Sequence, residues 1–166
     1  MKFSIYGENE VDNVISKGYK IVHYVDSVGC TSCKLNLLGW KDFITMLDSI
    51  TNCKVPILFF IHFRQKRELK FVLKESSFDY PICMDKNNDF CRVNGLSSVP
   101  ILRTFLLDKN NRVVAMGDPV NNPRVKELYI ELIKGNKVQP ELKDNLQCKE
   151  IEGTMFSAFS PHDSLL

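Results

Sequence analysis

An α/β fold, with a central mixed β-sheet flanked by helices in a single domain, is predicted by three observations. Strand-like apolar runs alternate with stretches of helical periodicity in the order β-α-β-α-β. A polar Asp/Asn turn then joins two further strand-like runs, and a capped helix follows. One central run is apolar almost throughout, as a strand covered on both faces must be. Such alternation makes a parallel sheet between helices, and the late hairpin adds an antiparallel edge.

Each element has its own local reason. Tyr19 to Val25 (YKIVHYV) has the β-branched and aromatic make-up of a strand. After Gly29-Cys30-Thr31-Ser32-Cys33, the apolar residues Leu37, Trp40, Ile44 and Leu47 are spaced 3, 4 and 3, which predicts an amphipathic helix that Gly39 weakens without ending. Val55 to Phe63 (VPILFFIHF) is the central strand. Arg64 to Ser76 is rich in helix formers, with Leu69, Val72 and Leu73 on one side. Tyr80 to Met84 is a short strand, and Asp89 to Val93 a single helical turn. Ile101 to Leu107 and Arg112 to Met116 flank Asp108-Lys109-Asn110-Asn111 and read as a β-hairpin. The last helix has Asn122 as its cap, Pro123 at its first position and Gly135 past its end, with Val125, Leu128, Leu132 and Ile133 as its buried stripe. The domain therefore spans residues 1–135. Residues 136–166, polar first and then carrying scattered Met155, Phe156, Phe159 and Leu165, read as a C-terminal extension too short for a second domain.

Composition narrows the function classes. The chain has 166 residues, 44% of them hydrophobic and 25% charged, with a formal net charge of +2. That balance is ordinary for a globular protein and gives no electrostatic footprint for nucleic acid or an anionic membrane. No run approaches the roughly 20 apolar residues of a spanning helix. MKFSIYGENEVDN has one lysine and no apolar core of about 7–15 residues, so it does not read as a signal peptide. Six cysteines are too few for a disulfide-dense scaffold and leave the compartment open.

Cys30-Thr31-Ser32-Cys33 carries chemistry because it stands between a predicted strand and a predicted helix. Residues i and i+3 of a helical turn are neighbours, so the two sulfurs can join with little backbone movement. At the helix N-terminus, unpaired amides and the helix dipole favour a thiolate on Cys30, the attacking form. Cys33, one turn in, is the resolving thiol, and the chemistry is thiol–disulfide exchange. Val99-Pro100 supports this reading. An X–Pro bond before a strand is a place where a cis peptide can be held, and a strand opening with proline leaves an edge for an extended substrate.

Together these features resemble the thioredoxin superfamily over roughly Lys20 to Gly135. Met84 to Val114 (MDKNNDFCRVNGLSSVPILRTFLLDKNNRVV) resembles the TlpA/redoxin-like thiol–disulfide oxidoreductase branch, as does the 70-residue separation of Cys30 from Pro100. The resemblance implies a thioredoxin-like fold, catalytic Cys30 and Cys33, and a cis-proline at Pro100 facing them. It also implies that the Val99 backbone holds the substrate strand, that protein thiols and disulfides are the substrates, and that an upstream redox protein is a partner. No cofactor or metal is implied, and the compartment it suggests is the bacterial periplasm or cell envelope, with the cytoplasm as the alternative. Tyr24 stands where thioredoxins keep a buried acid, and Gly29 where they usually carry Trp.

The remaining residues have plainer readings. Cys53, Cys83, Cys91 and Cys148 read as buried small groups, with a Cys83–Cys91 bridge left open. Zinc would need a second pair at ligand spacing, which Cys83 and Cys91 do not supply. His23 and His62 read as strand histidines satisfied in place, His162 as solvated, Trp40 as packing, and Arg64, Lys66, Arg67 and Lys70 as a solvated helix face. The alternative function is a redox-inert thioredoxin-like interaction module. A thiol peroxidase would need a Pro-x-x-x-Thr-x-x-Cys setting that the residues before Cys30 lack. A copper carrier would need cysteines spaced by three and a histidine between His62 and His162.

Overall fold

The computed structural model describes residues 2–11, 18–26, 35–51, 54–97, 99 and 102–135. Its strands are β1 (Phe3–Ile5), β2 (Asn9–Val11), β3 (Lys20–Val25), β4 (Ile57–Ile61), β5 (Ile82–Met84), β6 (Thr104–Leu107) and β7 (Val113–Met116). The helices are α1 (Leu37–Thr51), α2 (Lys66–Glu75), α3 (Asp89–Asn94) and α4 (Pro123–Ile133). The strands form one mixed sheet in the order β2-β1-β5-β4-β3-β6-β7. β3, β4 and β5 are parallel, and both flanks are antiparallel.

The central strands are buried on both faces because helices cover both. With a side-chain period of two, Ile21, Val25, Ile57, Phe59 and Ile61 face α1, α2 and α4. Val22, Tyr24, Leu58 and Phe60 face the opposite side, beneath Phe90 of α3. The predicted stripe of α1 is buried in full, with Phe43 added. Trp40 packs edge-on against Phe43 and Phe59, as a packing residue should. In α2, Leu69 and Leu73 are buried and Val72 is half-buried. Arg64, Lys66 and Arg67 are exposed, as a solvated face requires.

Gly39 has a packing reason to be in α1. A Cβ there would stand 2.6 Å from Val120 Cγ1, so the glycine permits close approach of the loop before α4. The α4 cap is as read: the Asn122 side chain accepts from the amides of Arg124 and Val125. Its stripe needs one correction. Leu132 and Ile133 are only half-buried, and Tyr129 is fully buried, its hydroxyl donating to the Gly117 carbonyl at 2.9 Å.

The sequence reading omits the β1–β2 hairpin. Its turn puts Tyr6 and Gly7 at φ 54° and 67°, the left-handed conformation of a tight hairpin turn. A Cβ on Gly7 would lie 2.4 Å from Met84 Sδ, the end of a flexible side chain, so the backbone conformation is the stronger reason for glycine here. Lys70 and Lys74 of α2 reach Glu8 at 3.4 and 3.0 Å and tie the hairpin to the helix.

Candidate functional site

The predicted site residues Cys30, Cys33 and Pro100 lie outside the described residues, as do Cys53, Cys148 and His162. Val99 is described and 47% exposed. Its amide donates to Ser97 Oγ at 3.1 Å, and its carbonyl accepts from the Leu102 amide at 3.1 Å. The described chain on either side of 27–34 is β3 ending at Val25 and α1 beginning at Leu37, so the Cys30–Cys33 segment joins a strand to a helix.

The flanking residues form a polar cluster that sequence reasoning missed. Antiparallel pairing of β3 with β6 runs from Lys20↔Leu107 to His23↔Thr104, and the Tyr24 amide then donates to the Arg103 carbonyl at 3.0 Å. One step on, the Arg103 guanidinium pairs through Nη1 with the Asp26 carboxylate. Its Nε donates to the Ser97 carbonyl at 2.9 Å, and its carbon lies 5.6 Å from the centre of the Tyr24 ring. Both partners are largely enclosed, with side-chain exposures of 11% and 16%. The available signal was a charged residue inside each apolar neighbourhood: Asp26 directly after YKIVHYV and Arg103 within ILRTFLL.

Tyr24 extends the cluster towards α3. Its hydroxyl donates to Asn88 Oδ1, its ring lies 6.2 Å from that of Phe90, and burial raises its pKa above the ordinary tyrosine value, with Cys91 adding to the effect. The position therefore holds an un-ionised phenol. Asp85 presents the beginning of α3, accepting from the amides of Asp89 and Phe90, both at 2.8 Å. His62 Nδ1 donates to the Asp85 carbonyl at 2.8 Å and is satisfied in place.

On the other face, His23 is buried against Trp40 and Phe59 and shares a 2.8 Å hydrogen bond with Thr104 Oγ1. It is only half satisfied, because its Nε2 has no hydrogen-bond partner among the described residues. Burial holds its pKa down at about 4. Cys83 and Cys91 are free thiols, so the bridge left open by the sequence does not form, and burial pushes the Cys83 thiol up to about 11. Among the described residues there is no group of three or more His, Cys, Asp or Glu able to hold a metal ion, and no helix is long and apolar enough to cross a membrane.

No protein-family profile and no curated protein sequence matches this chain. Solved structures do. StoA from Bacillus subtilis is 16% identical, with a TM-score of 0.52 over 70% of this chain and 87% of that one. A putative thiol-disulfide oxidoreductase from Bacteroides vulgatus is 12% identical, with a TM-score of 0.59 over 80% and 85%. Peroxidoxin BcpB from Mycobacterium tuberculosis is 11% identical, with a TM-score of 0.57 over 83% and 94%. The chain has the thioredoxin-like fold. Within this fold, Asp26 and Arg103 meet one step beyond the paired stretch of β3 and β6, and in the chain Asp26 directly precedes 27–34.

Proposed function

We propose that the protein is a thiol–disulfide oxidoreductase acting on cysteine pairs of other proteins, with Cys30 as nucleophile and Cys33 as resolving thiol. The observation that carries this reading is a CxxC motif linking strand β3 to helix α1 in a thioredoxin-like sheet. The structural likeness to a putative thiol-disulfide oxidoreductase supports it. In the first step the Cys30 thiolate attacks one sulfur of a substrate disulfide, forming a mixed disulfide and releasing the other substrate sulfur as a thiolate that takes up a proton. The Cys33 thiolate then attacks Cys30 Sγ, the Cys30–Cys33 disulfide forms, and the second substrate thiol leaves. The substrate gains two electrons and the protein loses them, and a dithiol partner protein restores the reduced pair. The reverse sequence oxidises a substrate dithiol.

In this reading Pro100 is the cis-proline opposite the pair, and the Val99 backbone takes an extended substrate by exchanging its present bonds to Ser97 and Leu102. The branch is TlpA/redoxin-like, the domain is 1–135 with 136–166 as an extension, and the working compartment is the cell envelope. Cys33→Ser removes the resolving step, so it accumulates mixed disulfides with partner proteins that dissolve on reduction. Absence of any such adduct, with Cys30 shown reduced and alkylatable, overturns the reading in favour of a redox-inert interaction module. The likeness to a peroxidoxin gives a second reading, peroxide reduction at Cys30. Peroxide consumption by the reduced protein, without protein adducts from Cys33→Ser, would select it.

A further inference from the structure

We propose that the outer face of α2 pairs with α2 of a second copy of this chain, the two helices parallel about a two-fold axis, with Phe71 on Phe71 at the seam. Leu69 and Leu73 are the buried residues of α2, and at about 100° per residue Phe71 stands about 160° from each of them, on the crest of the outer face. It is 64% exposed. A lone apolar ring in water is ordinary on a protein surface. The order of charge around this one is not. Arg67 and Lys74 fall about 40–60° to one side of Phe71, and Glu68 and Glu75 about 40–60° to the other. One flank of the crest is thus basic and the other acidic, and all four residues are exposed. Within α2 none of the four has an opposite charge three or four residues away, the spacing at which charges pair along one helix. Arg67, Glu68 and Glu75 form no ion pair among the described residues. Lys74 reaches Glu8 at 3.0 Å, keeps its side chain 51% exposed, and has further ammonium protons to donate.

A second copy is the partner these flanks fit. A two-fold axis along the helices sets the basic flank of each against the acidic flank of the other. In register, Arg67 stands one residue rise, about 1.5 Å, from the level of the partner's Glu68, and Lys74 the same from the level of the partner's Glu75. The axis repeats both contacts, so ion pairs frame the two rings on either side. An antiparallel pair sets like flank against like: Arg67 then meets the partner's Lys74, and Glu68 the partner's Glu75. Charge therefore selects the parallel arrangement. One short helix face buries less than the roughly 1,200 Å² of a stable interface, and exposed ion pairs add little each, so the dimer is weak and reversible, with a Kd on the order of 0.1–1 mM.

The test is sedimentation equilibrium of the full chain from about 0.02 to 1 mM, with a reductant present so that intermolecular disulfides do not contribute, and a thermal melt on each variant. Phe71→Ser removes the seam and weakens dimerisation about tenfold or more. Arg67→Glu makes both flanks acidic at that level and Glu68→Lys makes both basic, and each alone weakens dimerisation about tenfold. Mixed in equal amounts, the two charge variants attract, because the acidic flanks of one meet the basic flanks of the other, and the dimer returns. Raising salt from about 0.05 to 0.5 M weakens the wild-type dimer severalfold. If Phe71→Ser does not fold, the charge variants give the result by themselves. A wild type that stays monomeric to the top of the concentration range overturns the proposal and leaves the face to another protein or to water. A dimer that Phe71→Ser leaves intact places the interface elsewhere, and one that Arg67→Glu strengthens is antiparallel; either overturns the proposal. A mixture of the two charge variants that associates no better than each alone does the same.

Discussion

On one face of the sheet, three helices bring Trp40, Leu47, Leu69, Leu73, Leu128 and Tyr129 down on Ile21, Phe59 and Ile61. On the other, the six-residue α3 brings one ring, Phe90, down on Phe60, with centroids 3.8 Å apart and planes within 10°. Phe3 and Tyr24 add their rings to that second cluster, beside Phe105 and Leu107. The first face is redundant, because many aliphatic side chains from several elements share the covering. Among the described residues the second is covered mainly by Phe90, with Cys91 and Leu96 at its margin, and it is also the face on which Tyr24, Arg103 and Asp26 meet. The lesson is that the polar cluster of Tyr24, Arg103 and Asp26 borrows its support from the thinner layer.

The largest effect should therefore come from Phe90→Ala. It removes the stacked ring and most of what α3 covers, at about 4 kcal/mol of stability in urea unfolding. Leu73→Ala on the thick face leaves neighbours able to relax inwards and costs about 3 kcal/mol. Equal losses, or a greater one for Leu73→Ala, would break the contrast between the faces.

The thick face has its own weak point in His23. The buried imidazole stays neutral down to about pH 4, with burial as the main cause and the Asp118 charge opposing it. The unfolded chain takes up its proton below the ordinary value of 6.5. Stability is therefore intact above pH 6.5 and is lost as the pH falls from there to about 4, by about 3 kcal/mol. Unfolding midpoints of wild type and His23→Leu across that range should converge as the pH falls. Parallel curves would remove His23 from the account.

The smallest effect compares the helix caps of the two faces. Asp85 caps α3 with both carboxylate oxygens, whereas Asn122 caps α4 with one. Asp85→Ala should cost about 2 kcal/mol and Asn122→Ala about 1 kcal/mol, read from urea midpoints. The reverse order would mean that α3 is held by its ring rather than by its cap.

Most of the sheet was legible because its signals are local. The run VPILFFIHF announced β4, although Pro56 lies outside the strand, where its carbonyl accepts from the Ile21 amide at 3.0 Å. The ILRTFLL run shortened to Thr104–Leu107, because Arg103 turns aside to meet Asp26 and Ser97. Tyr129 was overlooked as a core residue because its burial depends on a hydroxyl partner, the Gly117 carbonyl, that periodicity does not register. The β1–β2 hairpin was illegible for a similar reason. Each of its strands has three residues, too few to show a period, and β1 finds its place only through pairing with distant β5. The CxxC and Val-Pro motifs are visible in the sequence, and the Asp26–Arg103 ion pair is not. Nothing in sequence spacing joins Asp26 to Arg103 until β3 and β6 lie side by side.

That distant pairing sets an order of events. Phe3 and Ser4 lie against Cys83 and Ile82, so β1, made before β5, has no edge of the central sheet to join until residues 82–84 have been made. Until then its only sheet partner is β2, and a two-stranded ribbon this short is marginal by itself in water. β1 is thus made well before β5, the strand that gives it a place in the sheet.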